Sequence, residues 1–141
     1  MQIVEDKVTQ VTNSGFQTNE STLHCGLLFG EIFIQVTSRS LIQIKGRGDN
    51  RRRTKWESDK GRILLACSNS RQVIIYIEGG QIVYFELDTN TGLLNEIQTE
   101  FFHVEIRCID IGEVPEGRLR SKFMVAGFAD NTVKILSLEP D

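Results

Sequence analysis

Three cysteines divide this chain at nearly equal intervals, and that spacing limits the fold more than any other feature. Cys25 to Cys67 is 42 residues and Cys67 to Cys108 is 41. Each stands in a short apolar run: Leu23-His24-Cys25-Gly26-Leu27-Leu28, Leu64-Leu65-Ala66-Cys67 and Ile106-Arg107-Cys108-Ile109. After each come an apolar segment, a tight turn and a second apolar segment. A unit of about 40 residues with four strands is the period of a β-propeller blade. Helical and leucine-rich repeats differ in period or content.

The segments between the cysteines read as strands. In Glu31–Thr37, Ile32, Ile34 and Val36 alternate onto one face, as side chains of a strand must. Val73-Ile74-Ile75-Tyr76-Ile77 and Ile82-Val83-Tyr84-Phe85 are near-continuous runs of β-branched and aromatic residues. Lys122–Phe128 and Thr132–Leu138 form a further pair. No stretch carries a helical apolar stripe. Turn chemistry separates the strands: Glu78-Gly79-Gly80-Gln81, Ala129-Asp130-Asn131-Thr132, the weaker Thr37-Ser38-Arg39-Ser40, and the looser Asp88-Thr89-Asn90-Thr91-Gly92. The tight turns at Ser38, Gly79 and Asp130 lie 13, 12 and 22 residues after their cysteines. The third unit therefore holds about ten extra residues, which the polar Gly112–Ser121 segment supplies.

The expected fold is all-β: a partial, WD40-like β-propeller of about two and three-quarter four-stranded antiparallel blades. Residues 1–20 read as a lead-in or the end of a preceding blade. Residues 21–61 read as a first blade, 62–104 as a second, and 105–141 as an incomplete third. Such a set leaves two blade faces open and one outer strand missing. Strands such as Val73–Ile77 are then expected to expose apolar surface. A fragment of a longer polypeptide fits this best; self-assembly into a composite ring is the alternative.

Composition narrows the function. Net charge is −3, unlike the positive excess of a dedicated nucleic-acid binder. An odd, dispersed set of three cysteines is a poor disulfide framework and suits a reducing compartment. The N-terminus lacks the basic start and apolar stretch of a secretory signal, and no run is long enough to span a bilayer. Cytosol or nucleus is the expected location. Asn19-Glu20-Ser21 and Arg47-Gly48-Asp49 match glycosylation and adhesion signatures that such a location makes irrelevant.

Chemistry-bearing constellations are few. His24, Cys25, His103 and Cys108 lack zinc-site spacing, and His24 and Cys25 must point to opposite faces of one strand. Small cysteines buried at equivalent blade positions are the simpler reading. There is no nucleophile elbow and no glycine-rich phosphate loop. We expect no enzyme activity, no cofactor, no metal and no small-molecule substrate. Trp56 reads as a packing residue of a fourth strand. The basic cluster Lys45, Arg47, Arg51, Arg52, Arg53 and Lys55 reads first as a solvated loop, next as a contact for an acidic protein, and last as an RNA-backbone contact.

Several stretches resemble one family of large propeller proteins. They are Val11–Phe16, Thr22–Leu28, Thr54-Lys55-Trp56-Glu57, Asn69–Val73, Gly79–Asp88, Val114–Ser121 and Val125–Val133. The family includes the large propeller subunit of the splicing factor 3b complex and the large subunits of the damaged-DNA-binding protein and of the cleavage and polyadenylation specificity factor. Cys25-Gly26 and Ile34–Ser38 look equally like the damaged-DNA-binding branch, whereas Tyr84-Phe85-Glu86-Leu87-Asp88 and Val114-Pro115-Glu116-Gly117-Arg118 favour the splicing branch. The resemblance runs from about Val8 to Leu138. It implies part of the middle propeller of a much longer scaffold, nuclear, acting in branch-site recognition through other protein subunits. The alternatives are a ubiquitin-ligase adaptor or a polyadenylation factor. Partner-facing candidates are then the two long loops, with Arg47, Arg51, Arg52, Arg53 and Lys55 in one and Glu116, Arg118 and Arg120 in the other. Gly46–Arg53 is longer and more basic than the family pattern, so no contact is carried over for that loop.

Overall fold

The computed structural model describes residues 15–46 and 51–139. Those residues form eleven strands and no helix, in three antiparallel meanders. The first sheet is β1 (Thr22–Leu28), β2 (Ile32–Thr37), β3 (Ser40–Lys45) and β4 (Arg52–Glu57). The middle sheet is β5 (Ile63–Ser68), β6 (Gln72–Ile77), β7 (Gln81–Asp88) and β8 (Leu93–Phe101). The third is β9 (Ile106–Ile111), β10 (Phe123–Phe128) and β11 (Val133–Ser137). Within each sheet the strands lie side by side in chain order.

Two apolar layers hold the sheets face to face. Ile32, Ile34, Val36 and Leu41 of the first sheet meet Val73, Ile75, Ile77, Val83 and Phe85 of the middle one. The opposite face of the middle sheet, with Ile74, Tyr76, Ile82 and Tyr84, packs on Ile106, Met124, Ala126 and Phe128 of the third. All six residues of β6 are buried. A strand covered on both faces needs no polar alternation, which is why Val73–Ile77 is continuously apolar. The expectation that Val73–Ile77 exposes apolar surface is therefore wrong. The exposed apolar surface lies instead on the outer faces: Leu23, Leu27 and Phe33 on the first sheet, and Phe123, Val125, Val133 and Ile135 on the third.

Pleat parity also corrects the reading of the cysteines. Cys25 pairs with Gln35, whereas Gly26 pairs with the inward Ile34. Cys67 pairs with Ile74 and Cys108 with Gly127. Cys25 therefore points away from the middle sheet, and its neighbour Gly26 occupies the inward position. Only Cys67 is buried; Cys25 and Cys108 are exposed. Burial, and secondarily the charge of Asp110, pushes the Cys67 thiol up to about 12. Only the thiolate is nucleophilic, so a maleimide should modify Cys25 and Cys108 of the native 141-residue chain quickly and Cys67 only after denaturation. Rapid native labelling of all three would contradict the packing of the second layer.

The β6–β7 turn explains its glycines. Gly79 and Gly80 have φ of 104° and 112°, a region that side chains disfavour. A Cβ on Gly80 would lie 2.4 Å from the Phe102 carbonyl oxygen, while one on Gly79 meets nothing within 4 Å. Gly80→Ala should therefore cost about 1–3 kcal/mol from strain plus the clash, and clearly more than Gly79→Ala. Thermal denaturation of the two variants checks the order; equal losses would contradict the close approach of Phe102.

Candidate interaction surface

In these meanders the connections after the first and third strand of each sheet emerge at one end. Cross-sheet hydrogen bonds bring those connections together: Phe29 N donates to Ser70 O at 2.7 Å, and Asn69 Nδ2 to Gly112 O at 2.8 Å. Both expected partner-facing segments emerge at this end, on different sheets. Arg47 lies outside the described residues. Arg52, Arg53 and Lys55 are exposed, and Arg51 is half-buried.

These basic residues do not form the expected loop. Arg52 to Glu57 is β4, the outer strand of the first sheet, with one edge bonded to β3. Charged side chains on an edge strand protect its unpaired backbone from unwanted pairing. Arg53 Nη2 donates to Gln17 Oε1 at 3.3 Å. Trp56 is the strand's anchor: it meets Phe85 edge-on at 5.4 Å and donates from Nε1 to Glu96 Oε1 at 3.1 Å.

The connection from β9 to β10 is held at its base and open at its tip. Gln72, fully buried, is the main fastener. Its Nε2 donates to Tyr84 Oη at 2.7 Å and to Ser121 O at 2.9 Å. Its Oε1 accepts from Ser121 N at 2.7 Å and from Asn69 Nδ2 at 2.7 Å. Arg120 closes the base with a two-pronged contact on Glu86, Nε to Oε2 at 2.6 Å and Nη2 to Oε1 at 3.2 Å. Tyr84 Oη donates to the same Oε2 at 2.5 Å. Arg120 is thus engaged within the chain, whereas Glu116, Arg118 and Leu119 are exposed at the tip. Arg118 N donates to Pro115 O at 3.0 Å, closing a turn in which Gly117 has φ 78°.

Electrostatics follow from this geometry. Burial raises the Glu86 pKa, but hydrogen bonds from Arg120 and Tyr84 and the Arg120 charge outweigh it, so the net shift is downward. Burial, then the Glu86 hydrogen bond, pushes the Tyr84 phenol well above its ordinary value. A carboxyl with a lowered folded pKa stabilises the fold above its unfolded pKa, and that contribution is lost as pH falls through the folded value. Arg120→Ala should cost about 1–2 kcal/mol near neutral pH, since hydrogen bonds to charged groups are the stronger ones. It should also flatten the acid-side fall in stability. Urea titrations across pH check this; parallel pH profiles for the two proteins would contradict it.

Strand period and turn chemistry do not point to this network, because Gln72, Asn69 and Ser121 resemble ordinary turn and loop residues. The alternation Gln72, Ile74, Tyr76 and Tyr84, Glu86 was the available signal: polar atoms on a buried face demand partners. Among the described residues no three His, Cys, Asp or Glu side chains cluster as a metal site.

The whole chain, residues 1–141, matches the family model for the RSE1/DDB1/CPSF1 second β-propeller. The chain belongs to this family. Splicing factor 3B subunit 3 of Drosophila melanogaster is 39% identical over 140 residues, covering 98% of this chain and 11% of that protein. Pre-mRNA-splicing factor rse1 of Emericella nidulans is 37% identical over 139 residues, with the same coverage of 98% and 11%. Spliceosome-associated protein 130 A of Arabidopsis thaliana is 36% identical over 139 residues, again 98% and 11%. The chain thus spans about a tenth of the length of these relatives. Membership makes the three sheets blades of the RSE1/DDB1/CPSF1 second propeller.

Proposed function

We propose that this chain is a segment of a non-enzymatic, nuclear protein-interaction scaffold that acts in branch-site recognition during pre-mRNA splicing. The observation that carries the reading is the splicing-factor identity of relatives matched along 98% of the chain. The architecture supports it. Stacked sheets make a rigid base, and loops on such a base carry binding.

Its partners are other protein subunits of a large complex. The exposed basic residues of β4, Arg53 and Lys55 on one face and Arg52 on the other, suit an acidic protein surface. Glu116 and Arg118 present a second contact at the tip of the anchored loop, with Arg120 setting its base. Reversing Arg52, Arg53 and Lys55 to Glu in the full-length protein should lower recovery of protein partners about tenfold or more, by opposing a complementary surface. Unchanged recovery of splicing proteins would remove this strand from the proposal. Steeply salt-dependent capture of RNA alone would replace it with a backbone contact.

A further inference from the structure

The order of residues in the basic strand carries more than its charge. Arg51-Arg52-Arg53-Thr54 sets arginines two and three positions before a threonine hydroxyl, and no other serine or threonine of the sequence has arginine at both positions. Protein kinases choose their acceptor segments by such charge patterns. In the arginine-directed class, carboxylates of the substrate groove pair with those two arginines, whose planar fork fits a carboxylate with two hydrogen bonds.

β4 presents this pattern already extended. It is an outer strand, paired with β3 along one edge only. Arg52, Arg53 and Thr54 are exposed and Arg51 is half-buried. An extended edge is the form in which a cleft takes a peptide. The anchor Trp56, edge-on to Phe85, comes two residues after Thr54. Arg51 to Thr54 therefore lies ahead of the anchor and can lift locally while the indole stays seated. Ser121 is a useful contrast. It follows Arg118 by three positions, but its backbone N–H and C=O are both fastened to Gln72.

Pleat parity gives a phosphate on Thr54 a seat. Thr54 stands opposite Gln43, and Arg52 stands opposite Lys45. Alternate residues of a strand share a face, so Thr54, Arg52 and Lys45 lie together on the face turned to the middle sheet. There Gln43 Oε1 accepts from Leu94 N at 3.2 Å, and Lys45 Nζ lies 2.5 Å from where a Cβ on Gly92 would stand. Arg52 along the strand and Lys45 diagonally across it are both at distances that long side chains span. The acidic Glu96 sits farther along, at Trp56.

We propose that Thr54 is a phosphorylation site for an arginine-directed serine/threonine kinase, and that Arg52 and Lys45 hold the phosphate on the β3–β4 edge. Thr54 Oγ1 attacks the γ-phosphorus of ATP, its proton passes to the kinase's base, and ADP leaves as the bond to the γ-phosphorus breaks. The edge gains a charge of about −1.5 to −2 at neutral pH, set against the exposed cations Arg52, Arg53 and Lys55. The site stands on β4 itself, independently of any role in splicing.

The test treats the native full-length protein with ATP and the catalytic subunit of cyclic-AMP-dependent protein kinase, an arginine-directed enzyme, and maps phosphate by mass spectrometry. Phosphate is expected on Thr54, entering at least about tenfold more slowly in Arg52→Ala and at an unchanged rate in Lys55→Ala. A phosphatase should then strip it faster from Lys45→Ala than from the unsubstituted protein. No phosphate on Thr54, or phosphate there only after denaturation, would overturn the site. A rate indifferent to Arg52 would overturn the class of kinase, and equal stripping of the two proteins would overturn the seat.

Discussion

Replacing Phe85 with alanine is expected to cost about 3–5 kcal/mol of unfolding free energy, the largest single-residue loss in this chain. Phe85 is 2% exposed and sits in the layer between the first and middle sheets. Removing the ring loses its transfer free energy and leaves a cavity that β-sheets on both sides cannot collapse to fill. It also removes the edge-on partner of Trp56, the chain's one tryptophan. Equilibrium urea denaturation followed by tryptophan fluorescence reads both effects. The variant should unfold at lower urea and show a native spectrum shifted toward that of a wetter indole. A loss below about 1 kcal/mol, typical of a surface site, would show that the two sheets do not pack through this residue.

Gln72→Leu is expected to cost nearly as much, about 3–4 kcal/mol, for a different reason. The volume is similar, so the cavity term is small. What is lost is a fastener making four hydrogen bonds: to Tyr84, to both backbone groups of Ser121, and from Asn69. The half-buried Ser121 N–H and C=O and the buried Asn69 amide lose these partners, and a buried group left without one costs about 1–3 kcal/mol. The loop should loosen before the sheets do. Trypsin should cut after Arg118 and Arg120 much faster in the variant under native conditions, while urea denaturation reports the global loss. Unchanged cleavage at both sites would contradict the role of Gln72 in holding the loop.

The contrast between these residues shows what was legible. Period and turn chemistry carried the fold, because a strand's needs are local: Val73–Ile77 and Gln81–Leu87 became β6 and β7, and the turns at Gly79-Gly80 and Asp130-Asn131 fell where glycine and asparagine permit positive φ. Facing was less legible. A slip of one position at Cys25 reverses the face, and the cysteine spacing of 42 rather than 41 concealed that Gly26 is the inward residue. The polar β8 and the basic β4 lack apolar alternation because outer strands are exposed, so Arg52–Lys55 read as a loop. The Gln72–Ser121 and Glu86–Arg120 contacts join residues 49 and 34 positions apart, and no local pattern encodes such pairings.

The most direct test of the scaffold account is affinity purification of the endogenous parent from nuclear extract with an antibody to this segment, reading its size and partners by mass spectrometry. The account predicts a protein far longer than 141 residues, accompanied by splicing factor 3b subunits and other branch-site proteins. A parent of that size found with ubiquitin-ligase or polyadenylation components and no splicing proteins would contradict it.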